Sequence, residues 1–232
     1  MENKTTNKDL FERRVQKMDQ AVQAKENEGI RAMFVEFDQH VRKLLNDFPR
    51  DQRLPDLLVK LASASPKGAA HELVQRALEI NPNDLKAKAM ETRLDAIGKP
   101  FALRFKALDG RDVDLAKMRG KVVLIDFWAT WCGPCVKEMP KLQEIYGRLH
   151  SRGLEIVGIS LDYDGKKLQS FVDLHHIAWP QQFEGKGFND EMIQKYGIIG
   201  IPTTFLVDKK GVLQEATLQL DLETKIRDLL AE

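Results

Sequence analysis

The sequence predicts an α/β domain preceded by an all-α segment, and three observations support this. The first is a change of texture near residue 98. Residues 1–98 hold three glycines (Gly29, Gly68, Gly98) and no Trp, Tyr or Cys, whereas residues 99–232 hold every Trp, Tyr and Cys and the other twelve glycines. The second is periodicity. Apolar residues before the change recur at helical spacing, and those after it form short continuous runs broken by Gly and Pro. The third is order: strand-like and helix-like segments alternate after residue 100 and end in a hairpin and a last helix, the pattern of a mixed central sheet covered by helices. The expected boundary is Gly98-Lys99-Pro100, giving domains 1–97 and 98–232.

Bulk composition excludes several classes. At roughly 150 residues per domain, 232 residues make one large domain or two small ones. With 36 basic and 35 acidic residues the net charge is +1, which gives no reason to expect nucleic acid as a partner. No stretch approaches the ~18 apolar residues of a membrane span. The opening residues, Met1-Glu-Asn-Lys-Thr-Thr-Asn-Lys-Asp-Leu10, lack the apolar core of a signal peptide. Two cysteines rule out a multi-disulfide scaffold.

In the first segment, Phe11, Val15, Met18 and Val22 make one helical stripe, and Ile30, Met33, Phe34, Phe37, Val41, Leu44 and Leu45 a wider one. Further helices are expected at 55–64, 67–80 and 84–96, with Pro66 and Pro82 at helix starts. A shift of 33 residues aligns Val41 with Val74, Leu45 with Leu78, Pro49 with Pro82 and Asp51 with Asp84. That spacing is near the 34 of tetratricopeptide repeats, but a plain helical bundle is the alternative.

The second segment reads in order as follows. Leu103–Ala107 and Asp112–Leu115 flank an Asp-Gly turn, a hairpin signal. Val122–Trp128 and Leu154–Ser160 are apolar, β-rich runs expected to be buried on both faces. Helices are expected from Pro134, over 165–175, over 189–196 and over 221–230. An extended piece is expected at Trp179–Phe183, and a closing hairpin from 203–207 and 212–215 around Asp208-Lys-Lys-Gly211.

The chemistry lies in Trp131-Cys132-Gly133-Pro134-Cys135, between a buried strand and a helix. Two intervening residues let one turn bring both sulfurs within bonding distance. Unpaired N–H groups at the helix start favour a thiolate, so Cys132 is expected to be the exposed, low-pKa nucleophile and Cys135 the more buried partner. Pro134 suits the first turn, where its missing N–H is not needed. A zinc site would need four ligands, and the chain offers two Cys and five scattered His; no metal is expected. Haem attachment requires His where Val136 stands. A structural disulfide across so small a loop would add little by chain entropy. A redox dithiol is the reading that survives.

The stretch Asp126-Phe-Trp-Ala-Thr-Trp-Cys-Gly-Pro-Cys135 resembles the active-site segment of thioredoxin. Pro140 falls where thioredoxins have a helix-kinking proline. Ile201-Pro202-Thr203 resembles their cis-proline loop, and Asp208–Gly211 their following hairpin turn. The hairpin at 103–115 and the extra segment at 162–196 resemble the TlpA/ResA group of thioredoxin-like oxidoreductases. The resemblance covers residues 97–232 and implies a thioredoxin fold.

It also implies roles. Cys132 attacks a disulfide and Cys135 resolves the mixed disulfide. Asp126, a carboxyl in an apolar strand, is expected to have a raised pKa and to exchange a proton with the resolving thiol. Trp131, Gly133 and Pro134 shape the site. Glu138, in the first helical turn, is either a functional acid or a solvated helix residue. Ile201, Pro202 and Thr203 offer a backbone edge to an extended substrate. Gly-Pro between the cysteines is the thioredoxin pair and points to a reductase acting on disulfides of other proteins, re-reduced by an upstream electron-donor protein. No cofactor beyond the Cys132–Cys135 disulfide is expected. The alternatives are an oligomeric isomerase or oxidase, with residues 8–45 as the oligomerisation element, and a helical interaction module with secondary redox activity. The group works outside the cytoplasm, which implies a periplasmic location after removal of a signal or anchor; a cytoplasmic location is the alternative.

Overall fold

The structure, a computed structural model, describes residues 35–36, 38–63, 65, 67–216 and 222–232. The chain divides into two compact units between Leu54 and Pro55. In the first, residues 38–47 are helical and the Arg42 Nε donates to Asp38, one turn earlier, at 2.8 and 2.9 Å. The expected helix over 11–22 and most of the proposed oligomerisation element lie outside the described residues.

The second unit opens with three helices, α1 (Leu54–Ser63), α2 (Lys67–Ile80) and α3 (Leu85–Ala96). Ala62 of α1, Ala70 and Val74 of α2, and Met90 and Leu94 of α3 form a shared apolar core. Ala62 and Ala70 let the helices approach closely, and burial of the whole cluster holds helices that would be marginal alone. α3 starts at Leu85, not at Pro82. Its cap is Asp84, whose side chain accepts from the Ala87 N–H at 2.8 Å. Pro82 lies in the preceding turn, because an Asp side chain can accept the orphan helix N–H groups and a proline cannot.

These helices belong to the same unit as the residues that follow, so the expected boundary at 97/98 falls inside it. The backbone explains this. The Gly98 N–H donates to the Leu213 carbonyl at 2.7 Å, and the Leu213 N–H donates to Lys99 at 3.0 Å. Gly197 adopts φ +61, and a Cβ there would lie 2.5 Å from the Ala89 carbonyl oxygen of α3. Only glycine allows the α3 backbone so close.

The α/β part contains a hairpin, β1 (Arg104–Lys106) with β2 (Asp112–Asp114), and a five-stranded sheet of order β5-β4-β3-β6-β7. Its strands are β3 (Val122–Trp128), β4 (Leu154–Ser160), β5 (Gln181–Phe183), β6 (Thr203–Val207) and β7 (Leu213–Glu215). β3, β4 and β5 are parallel; β6 is antiparallel to β3, and β7 to β6. The helices are α4 (Gly133–Leu149), α5 (Gly165–Leu174), α6 (Glu191–Lys195) and α7 (Leu222–Ala231). This mixed sheet flanked by helices is the thioredoxin fold that the resemblance implies. All seven residues of β3 are buried, as a run apolar at every position but Asp126 requires, and each large apolar side chain contributes about 1.5–3 kcal/mol. No helix among the described residues is long and apolar enough to cross a membrane.

Candidate active site

β3 delivers the chain to the carboxyl end of the parallel strands, where the Cys132 N–H closes a turn on the Ala129 carbonyl at 3.1 Å. Cys132 is then the N-cap of α4, and its Sγ accepts from the Cys135 N–H at 3.2 Å. A sulfur thus takes the place of the usual capping oxygen and receives one of the helix's orphan N–H groups. The helix begins at Gly133, one residue earlier than expected, with Pro134 inside its first turn. Pro140 lies within the same helix.

Cys132 and Cys135 form a disulfide, with S–S 2.03 Å and Cα atoms 5.3 Å apart. The expected contrast in exposure is absent from this oxidised state: Cys132 is 5% exposed and Cys135 3%. Both cysteines are buried at the start of α4.

Asp126 is the lone acid in β3, 3% exposed, and burial raises its pKa to about 7. The charge of Glu138 pushes it in the same direction. Glu138 is the sixth residue of α4, so it stands in the second turn rather than the first. Partial desolvation raises its own carboxyl, opposed by Lys141. Glu138 therefore discourages ionisation of Asp126 at the dithiol's end of the fold.

The antiparallel register pairs Thr203 with Phe127 and Thr204 with Asp126. Continued by two residues, it carries Ile201 and Pro202 to the end of β3 from which the cysteine turn departs. The Ile201–Pro202 bond is cis, and both residues are partly exposed beside buried Thr203. Trp131 is 52% exposed, with its ring 6.4 Å from that of Phe188. Trp128 is fully buried, and its indole N–H donates to Gln181 Oε1 at 2.9 Å. The Gln181 side chain lies over Gly158, where any Cβ would overlap it.

Sequence reasoning missed Asp162. This buried carboxylate accepts from the Thr130 N–H at 3.1 Å, the Thr130 hydroxyl at 2.6 Å and the Ser160 hydroxyl at 2.8 Å. It ties the end of β4 to the turn that carries Trp131 and Cys132. The available signal was an acid two residues beyond an apolar strand, which reads equally well as a solvated loop residue. Asp162→Ala would orphan the Thr130 N–H and both hydroxyls. The expected loss is about 2–3 kcal/mol in urea unfolding, with chain topology retained.

Residues 97–216 match the AhpC/TSA family. Over 109 residues the chain is 38% identical to "Thiol-disulfide oxidoreductase ResA" of Bacillus thuringiensis, covering 47% of this chain and 61% of that protein. It is 35% identical over 126 residues to the protein of that name from Oceanobacillus iheyensis, covering 53% and 64%. The chain thus spans about three-fifths of the length of these relatives. Among solved structures, the thioredoxin domain of a thiol-disulfide oxidoreductase from Bacteroides vulgatus matches with TM-score 0.53 and 29% identity, over 58% of this chain and 98% of that one. A thiol:disulfide interchange protein from a Bacteroides species matches with TM-score 0.51 and 28% identity, over 59% and 91%.

Proposed function

The chain belongs to the AhpC/TSA family, and from that premise we propose that it is a thiol-disulfide oxidoreductase reducing disulfides in other proteins. The observation that carries the reading is the redox pair itself: a Cys132–Cys135 disulfide capping a 17-residue helix, with a buried acid in the strand behind. The names of the relatives support it. A peroxidase reading fits less well, since Ala129 and Ile125 occupy the Thr and Pro positions of the Pro-x-x-x-Thr-x-x-Cys pattern.

In the reduced protein, the Cys132 thiolate attacks one sulfur of a substrate disulfide and displaces the other as a thiolate. Cys135, losing its proton to Asp126, then attacks Cys132 Sγ and releases the second substrate thiol. Two electrons pass from the dithiol to the substrate, and the protein is left in the disulfide form. An electron-donor protein restores the dithiol, and an extracytoplasmic setting suits the exchange.

The test is the reduction potential of the pair, set by equilibration with dithiothreitol buffers and read by Trp fluorescence. A value near or below about −250 mV is expected. A value above about −180 mV would overturn the reductase reading in favour of an isomerase or oxidase.

A further inference from the structure

A groove of about 440 Å³ is bounded by Thr130, Lys166, Lys167, Ser170, Phe171 and Leu174. Thr130 precedes Cys132 by two residues, so this edge of the groove has its backbone within about 7 Å of the Cys132 backbone. Its apolar lining comes from Phe171, partly buried against Trp128, and from Leu174, which is 74% exposed. Its rim is cationic. The Lys166 and Lys167 N–H groups donate to Asp164 Oδ1 at 2.9 and 3.1 Å, but their ammonium groups enter no ion pair among the described residues. Asp164 offsets one charge and is engaged with the helix start; Asp162 is buried and committed to Thr130. A net positive rim remains above an apolar surface. Thr130 is held from behind through Asp162.

We propose that this groove binds the substrate polypeptide next to its reacting cysteine, and that it selects an acidic side chain adjacent to a large apolar one. The proposal rests on the oxidoreductase reading and names its substrate class. An extended peptide advances about 3.4 Å per residue, so residues two to four positions from the cysteine reach the groove while the sulfur faces Cys132. The apolar side chain covers Leu174 and Phe171, and the carboxylate meets the two lysines, where charge complementarity favours encounter and register.

The test uses the full chain, reduced, and two symmetric peptide disulfides. In one, Leu and Glu stand side by side two and three positions from the cysteine; in the other, Lys replaces Glu. The acidic peptide should show a kcat/KM about five- to ten-fold higher at low salt, and the ratio should shrink as salt is raised. In the Lys166→Glu/Lys167→Glu variant the ratio should invert, and Leu174→Ser should raise KM for the acidic peptide. Equal rates for the two peptides, or a preference unaffected by the charge reversal, would overturn the groove assignment while leaving the oxidoreductase reading intact. Hydroxyethyl disulfide, which carries neither feature, reports the chemistry alone. If the reduced wild-type protein fails to reduce it, the oxidoreductase reading fails and the substrate assignment with it.

Discussion

Cys135→Ser is expected to accumulate a covalent adduct with its protein substrate, and Cys132→Ser to lose turnover entirely. The reason is the division of labour at the N-terminus of α4. Cys132 stands at the cap, where the helix's unpaired N–H groups converge and one of them already points at its sulfur at 3.2 Å. An anion there is stabilised by about 0.3–1 kcal/mol or more, which lowers the thiol pKa and favours attack at neutral pH. Cys135 is the third helical residue, and its own N–H is the donor rather than the recipient. Once Cys132 holds the substrate, a sulfur at position 135 is the group placed to displace it; a serine oxygen there cannot. With both sulfurs nearly covered in the disulfide state, accessibility does not distinguish them, so electrostatics and helix position are the deciding terms. Non-reducing electrophoresis followed by mass spectrometry measures the adduct. Adduct formation by Cys132→Ser but not by Cys135→Ser would reverse the two roles.

The strands that carry this site were legible because each conflicts with no other signal. Val122–Trp128 is apolar at every position but Asp126, and so short and nearly continuous an apolar run suits a strand covered on both faces. The start of α4 was legible from Pro134 and the cysteine spacing to within one residue. What was not legible depends on contacts distant in sequence. Asp162 reaches Thr130 across 32 residues, and neither residue type announces the pairing. The boundary near Gly98 follows a real change in composition, yet composition does not record that α3 abuts Gly197 or that Gly98 and Lys99 pair with Leu213. Helix position does not predict the exposure of the two cysteines: cap and first-turn residue are 5% and 3% exposed in the disulfide.

Asp126→Asn is expected to slow disulfide reduction most near neutral pH and to stabilise the protein above it. Burial holds the Asp126 carboxyl at about 7, far above the 3.8 of an exposed aspartate. Its folded-state pKa is therefore raised, and the sign follows: the native protein binds a proton that the unfolded chain has released. The stability associated with the protonated acid is fully present below about pH 4 and is lost as pH rises through about 7. The loss is on the order of 4 kcal/mol over that window for a fully buried group. Asparagine does not ionise, so the variant's unfolding free energy should lack this slope and exceed that of the wild type at about pH 8. Kinetically, the ionised carboxylate is the acceptor for the Cys135 proton, so wild-type rates should rise through about pH 7 and level off. The variant should lack that inflection, be about ten-fold slower at neutral pH, and recover as hydroxide takes over. Glu138→Gln separates this from simple packing. Removing the neighbouring charge leaves Asp126 in place but relieves one of the two causes of its raised pKa, so the inflection should move to lower pH. Identical rate profiles for wild type and Asp126→Asn from about pH 6 to 9 would leave the carboxyl a structural role only. A flat stability difference between them would show that Asp126 has the same pKa in the folded and unfolded chain, so that burial does not raise it.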